Sequence, residues 1–103
     1  MGQRLSPEDM ALYRAIDEVL HYIWDPIGVS DAPEARDEYH SYLPVVFSKV
    51  KANDGIEVIA EYLHDIRTDR IGMPANLKAD RDAADLMLHW RSVLMEKYKT
   101  DSL

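Results

Sequence analysis

Apolar side chains recur along this chain at spacings of three and four, and no segment shows strict alternation, so the chain can bury them only by winding into helices. Leu12, Tyr13, Ile16, Val19, Leu20 and Ile23 form the first stripe. Ser6-Pro7-Glu8-Asp9 precedes it with a cap, a proline suited to the first helical position and acids in the first turn, which predicts a helix from Pro7 to Ile23. Ala35, Tyr39, Tyr42, Leu43, Val46, Phe47 and Val50 form a second stripe with Pro44 inside it, so the second helix is expected to kink there. After Asn53-Asp54-Gly55, with Asp54 as the expected cap, Ile56, Ile59, Tyr62, Leu63 and Ile66 make the third stripe. Gly72 and Pro74 stop it. A fourth helix, starting between Leu77 and Asp80, carries Ala83, Leu86, Met87, Trp90, Val93, Leu94 and Tyr98 and ends near Lys97 and Lys99. With 103 residues and no repeat, the expectation is a single domain over 1–103: all-α, a four-helix up-and-down bundle or a close irregular variant.

The least ordinary residues lie between Trp24 and Tyr42. Asp25 precedes Pro26 and is biased away from the helical region, so the first helix must end there. Gly28 permits a turn, while Ile27 and Val29 are too apolar for a free surface loop and are expected to tuck against the core. Ser30 or Asp31 can cap the next helix, Pro33 fits its first turn, and Glu34, Asp37 and Glu38 put negative charge at its positive end. Trp24 continues the Leu20 and Ile23 face and is placed in the core, as is Trp90 on the fourth helix; Tyr39 and Tyr42 are expected to be the more exposed pair.

Charge and composition exclude several functions. A net charge of −7 opposes nonspecific binding to phosphate backbones or anionic membranes and favours a basic partner. The imbalance is concentrated in residues 1–50, with nine acids against four Lys or Arg; residues 51–103 have ten against eight. There is no cysteine, hence no disulfide, thiolate metal site or cysteine nucleophile. No apolar run reaches the ~20 residues of a membrane span and no secretory h-region opens the chain, so a cytoplasmic location is the expectation. Gly2 follows Met1, but Ser6 is accounted for as a helix cap rather than as part of an acylation signal.

Each helix pairs a carboxylate with a histidine: Glu18 with His21, Asp37 with His40, Glu61 with His64 and Asp85 with His89. Projected inward from facing helices, such pairs would be metal ligands. On the helical wheel, however, Glu18 and His21 fall opposite the Ile16 stripe, and Glu61 and His64 flank Tyr62 and Leu63, so these are expected to face water. No Gly-rich phosphate loop, paired-His zinc motif or nucleophile elbow occurs. No catalytic residue, metal or cofactor is therefore assigned. The remaining candidate is an interaction surface at the corner, comprising Trp24, Asp25, Asp37, Glu38, Tyr39 and Tyr42: aromatic anchors inside an acidic rim.

Trp24-Asp-Pro-Ile-Gly, followed by Asp37-Glu38-Tyr39 and Tyr42, resembles families of small, mostly helical bacterial proteins of unknown function, over about Tyr13 to Met73. The resemblance implies a helical fold and a bacterial cytoplasmic setting, and no activity. Size and charge are similar to those of immunity partners of secreted toxins. The expected function is a small acidic protein-interaction domain, in its sharpest form an immunity-type inhibitor of a basic toxin, that binds neither nucleic acid nor membrane. The alternatives are a metal-dependent bundle enzyme using Glu18, His21, Glu61 and His64, and a homodimeric structural module.

Overall fold

A computed structural model describes residues 5–101; Gly2 lies outside them. Among the described residues every regular element is helical, and four helices pack into a body of 47 × 30 × 27 Å. Helix α1 spans Pro7–Glu18, α2 Leu43–Lys51, α3 Ile56–Asp65 and α4 Leu77–Asp101. The long α4 lies against both α1 and α3, and the short α2 closes the remaining side.

The start of α1 follows its sequence signal. The Ser6 hydroxyl accepts the Asp9 N–H at 3.1 Å, with Pro7 in the first turn. At α3 the cap position is Gly55, with no side-chain bond from Asp54. Helix α4 is capped by Asn76, whose Oδ1 accepts the Ala79 N–H at 3.1 Å. The stops are a left-handed Asn53 (φ 61°) after α2 and Gly72 (φ 80°) after α3, a conformation glycine adopts without the Cβ penalty.

The second helix departs from its sequence reading. Residues 36–42 are not α-helical, and Pro44 does not kink a helix: it sits in the first turn of α2, which begins at Leu43. Proline has no N–H to donate and its ring collides with the carbonyl four residues back, so an α-helix cannot run through from Tyr39, but one can start here. The preceding chain instead descends in i→i+3 bonds, including Glu38 N–H to Ala35 at 3.0 Å, His40 to Asp37 at 3.1 Å and Tyr42 to Tyr39 at 3.1 Å, after a short 3₁₀ helix at Pro33–Ala35. Its cap position is Ala32, so neither Ser30 nor Asp31 caps it.

Two helices end in π turns. Helix α1 continues as Val19–Trp24 and α3 as Ile66–Arg70, closed by i→i+5 bonds from Asp25 N–H to the Leu20 carbonyl at 3.0 Å and from Ile71 N–H to the Ile66 carbonyl at 2.9 Å. An i→i+5 turn holds one residue more than an α turn, so the buried face is altered within it. The buried positions become Val19, Leu20, His21 and Trp24, without Ile23, and Ile66 and Arg67 on α3. The core proper is Ile16, Leu20, Val46, Val50, Ile59, Leu63, Ile66 and Met87, with Ala83 and Ala84 admitting the close approach of α4. Each large side chain among them contributes about 1.5–3 kcal/mol of burial.

Candidate functional site

The corner after α1 is built on Asp25. Its backbone is left-handed (φ 30°, ψ 64°), a region asparagine and aspartate tolerate better than other side chains. The carboxylate collects the loose donors of the loop: Oδ1 accepts from Gly28 N–H at 3.0 Å, Val29 N–H at 2.8 Å and the Tyr39 hydroxyl at 2.7 Å, and Oδ2 accepts from Ser30 N–H at 2.9 Å. The Tyr39 oxygen in turn accepts Ile27 N–H at 3.1 Å. Burial pushes the Asp25 carboxyl up, but the Val29 N–H, the Tyr39 hydroxyl and the Ser30 N–H outweigh it and hold it below the ordinary aspartate value. Burial and the hydrogen bond to Asp25 push the Tyr39 phenol well above its usual value, so it remains a neutral donor.

This corner joins a second network in the core. Trp24 meets the Tyr39 ring edge-on at 5.5 Å and donates its indole N–H to Asp80 Oδ1 at 2.8 Å. Asp80, on the first turn of α4, is 0% exposed. Arg67 donates Nε–H to the same oxygen at 3.0 Å, and its guanidinium lies 5.7 Å over the Trp24 ring. Both π turns are thus spent on bringing Trp24 and Arg67 to one carboxylate of α4.

The six corner candidates divide accordingly. Trp24 is core, as the sequence indicated, whereas Tyr39, expected outside, is 2% exposed because its hydroxyl is the hub of the loop; Tyr42 is half-buried against the core. Asp25 faces its own loop. Only Asp37 and Glu38 are open to a partner. Val29 packs against the core as expected, while Ile27 is exposed.

The histidines also separate. His21, read as facing water, is buried because the π turn rotates it inward, with its ring edge-on to Tyr22 at 4.5 Å. His40 lies on the surface 3.1 Å from Asp17, whose carboxylate also takes a two-pronged pair of bonds from Arg36 at 3.0 Å each. His64 is half-buried, its Nδ1 4.0 Å from Asp80 Oδ2, and His89 is exposed. The pairs therefore belong to different parts of the molecule, and no three His, Asp or Glu side chains converge to hold a metal among the described residues.

What the altered face leaves outside is an apolar patch. Tyr22 (54% exposed), Ile23 (61%) and Trp90 (39%), with Leu86, surround a shallow groove of about 230 Å³ between the end of α1 and α4, and Glu18 stands at its edge. Trp90 therefore does not close the core. The Arg36 guanidinium lies 5.3 Å over the Tyr22 ring and ties the patch to the acidic corner. The sequence reading missed Tyr22, whose exposure depends on the π turn. Asp80 was missed despite a visible signal: it shares the buried face of Ala83, Met87 and Leu94 at helical spacing, an acid in an apolar stripe.

No helix among the described residues is long and apolar enough to cross a membrane. Comparison of the chain with protein-family models, with characterised proteins and with solved structures returned no match, so the likeness at Trp24–Gly28 and Asp37–Tyr39 rests on those residues alone.

Proposed function

We propose that this chain is a protein-interaction domain that binds a basic partner through the Tyr22, Ile23 and Trp90 patch and its acidic surroundings. The observation that carries the reading is the patch itself: two aromatic rings and an isoleucine stand out of a small helical domain side by side, where folding alone would favour polar residues. The charge supports a basic partner. Glu18 borders the groove, and Glu34, Asp37 and Glu38 extend the negative surface along the loop attached to Tyr22 by Arg36. An inhibitor of a basic toxin, acting in the cytoplasm of the producing cell, is the most specific form of this reading.

Tyr22→Ser with Ile23→Ser is expected to leave the fold nearly unchanged, within about 1 kcal/mol by urea titration, because both side chains are already largely in water. The same pair is expected to weaken binding to the partner captured by the wild-type chain by about 30-fold or more, the scale of a lost aromatic anchor. Calorimetry on the purified pair checks this. Unchanged affinity in the double variant sinks the reading; a concentration-dependent dimer of the wild type that the double variant abolishes would assign the patch to a second copy of the chain instead.

A further inference from the structure

Between α3 and α4, on the flank of α4 away from the aromatic patch, runs a larger groove of about 440 Å³. Its floor is apolar, with Val58 and Leu77 both substantially exposed. An ion pair from Arg81 to Glu57 closes one part of the rim and neutralises both charges. Glu61 and His64 stand elsewhere on the rim; Glu61 is exposed and unpaired, so the groove retains one uncompensated negative charge.

Behind His64 lies the buried carboxylate already described. Asp80 Oδ1 is committed to Trp24 and Arg67, while Oδ2 accepts no hydrogen bond and has His64 Nδ1, itself buried and without a partner, 4.0 Å away. A ring movement of about 1 Å closes that gap to a hydrogen bond. Once made, that bond would place the proton on Nδ1 and free Nε2 of the groove-lining ring to accept. Arg67 satisfies one side of the carboxylate, which makes Oδ2 the natural orienter of the imidazole.

We infer that this groove receives a lysine side chain of the basic partner, its methylene stem on Val58 and Leu77 and its ammonium between the Glu61 carboxylate and His64 Nε2. The recognition is chemical. An apolar floor ending in two acceptors of different kinds complements a long aliphatic stem with a compact three-donor head, whereas the planar fork of arginine would take both oxygens of Glu61 and leave His64 Nε2 without a donor. The inference rests on the reading of the chain as a binder of a basic protein, and deepens it by naming what the partner inserts.

The test is an NMR titration of the ¹⁵N-labelled chain with hexalysine at physiological salt, with Nε-acetylated hexalysine and hexa-arginine as parallel probes. Shifts are expected at Val58, Glu61, His64 and Leu77, absent with the acetylated peptide and weaker with hexa-arginine. Glu61→Gln is expected to raise the hexalysine Kd about tenfold, as is His64→Leu, while Asp37→Asn with Glu38→Gln leaves it within about twofold. If His64→Leu does not fold, the exposed Glu61→Gln decides alone. Shifts spread evenly over the acidic surface, shifts clustered at Asp37 and Glu38, or a Glu61→Gln variant that binds like wild type would overturn the lysine site. A partner that still binds Glu61→Gln at full strength but not the Tyr22→Ser, Ile23→Ser variant removes the groove and leaves the interaction reading intact. Hexalysine binding in the groove, with partner affinity indifferent to Tyr22 and Ile23, separates the two the other way.

Discussion

Replacing Asp80 with alanine is expected to destabilise the fold by about 3–5 kcal/mol, the cost of leaving a buried guanidinium without its counter-charge. Arg67 is 6% exposed and cannot reach water without dismantling the π end of α3, and the Trp24 indole N–H loses its acceptor at the same time. For a domain whose total stability is about 5–15 kcal/mol, this removes a large share; Tm should fall by at least ~12 °C. A second variant separates lost charge balance from lost volume. Asp80→Leu combined with Arg67→Met removes both charges and restores apolar volume, and is expected to recover most of the loss, because a buried ion pair exchanged for well-packed apolar groups is often neutral. Urea denaturation of the three proteins checks the pattern. An Asp80→Ala protein within ~1 kcal/mol of wild type would mean that the carboxylate does not bind these elements together; a double variant as damaged as the single would mean that the geometry at Trp24 matters more than the charge.

That carboxylate also marks how far the sequence could be read. Four helices and most of the core were legible because burial in a helical domain is periodic: Ile16, Leu20, Ile59, Leu63 and Met87 all fall where the stripes place them. The legibility fails where the period itself changes. A π turn depends on tertiary contacts, here Trp24 and Arg67 reaching Asp80, and no local pattern in Val19–Trp24 distinguishes it from an α turn. One extra residue in that turn was enough to drop Ile23 from the core and to turn His21 inward. It also carried Tyr22 and Ile23 outside, and with them the patch on which the interaction reading depends. Tyr39 failed for a different reason. Its burial follows from a hydroxyl reaching Asp25, 14 positions earlier in the chain, and a polar tip normally argues for the surface. Pro44, expected to bend a helix, starts one instead; the i→i+3 bonds of the preceding chain decide between the two roles, and they are a property of the folded corner.

Asp25→Ala is expected to cost about 2–4 kcal/mol, from three backbone N–H groups and the Tyr39 hydroxyl losing their acceptor and from an alanine held at a left-handed φ of 30°. Asp25→Asn keeps the Oδ1 acceptor and tolerates that backbone, but its amide nitrogen faces the Ser30 N–H, so about 1 kcal/mol is lost. Acid distinguishes the charge from the shape. The folded carboxyl is held below its ordinary value, so its contribution is fully present above the unfolded pKa, about 3.9, and is lost as pH falls through the lower folded value. The stability gap between wild type and Asp25→Asn should therefore be flat from about pH 7 to 5 and narrow below about pH 4, with the acid sensitivity of the other carboxylates cancelling in the difference. Urea midpoints across pH 3–7 check this, and a gap that does not change with pH would contradict it. The effect should extend to binding. The Asp25 N–H closes the π turn on the Leu20 carbonyl, and an alanine relaxing out of the left-handed backbone carries that N–H away, so an Asp25→Ala protein that still folds should hold Tyr22 and Ile23 less firmly outward and bind the partner more weakly, although Asp25 faces its own loop. Equal affinity would mean that the patch keeps its shape without the corner, and that the π turn is held by Trp24 on Asp80 alone.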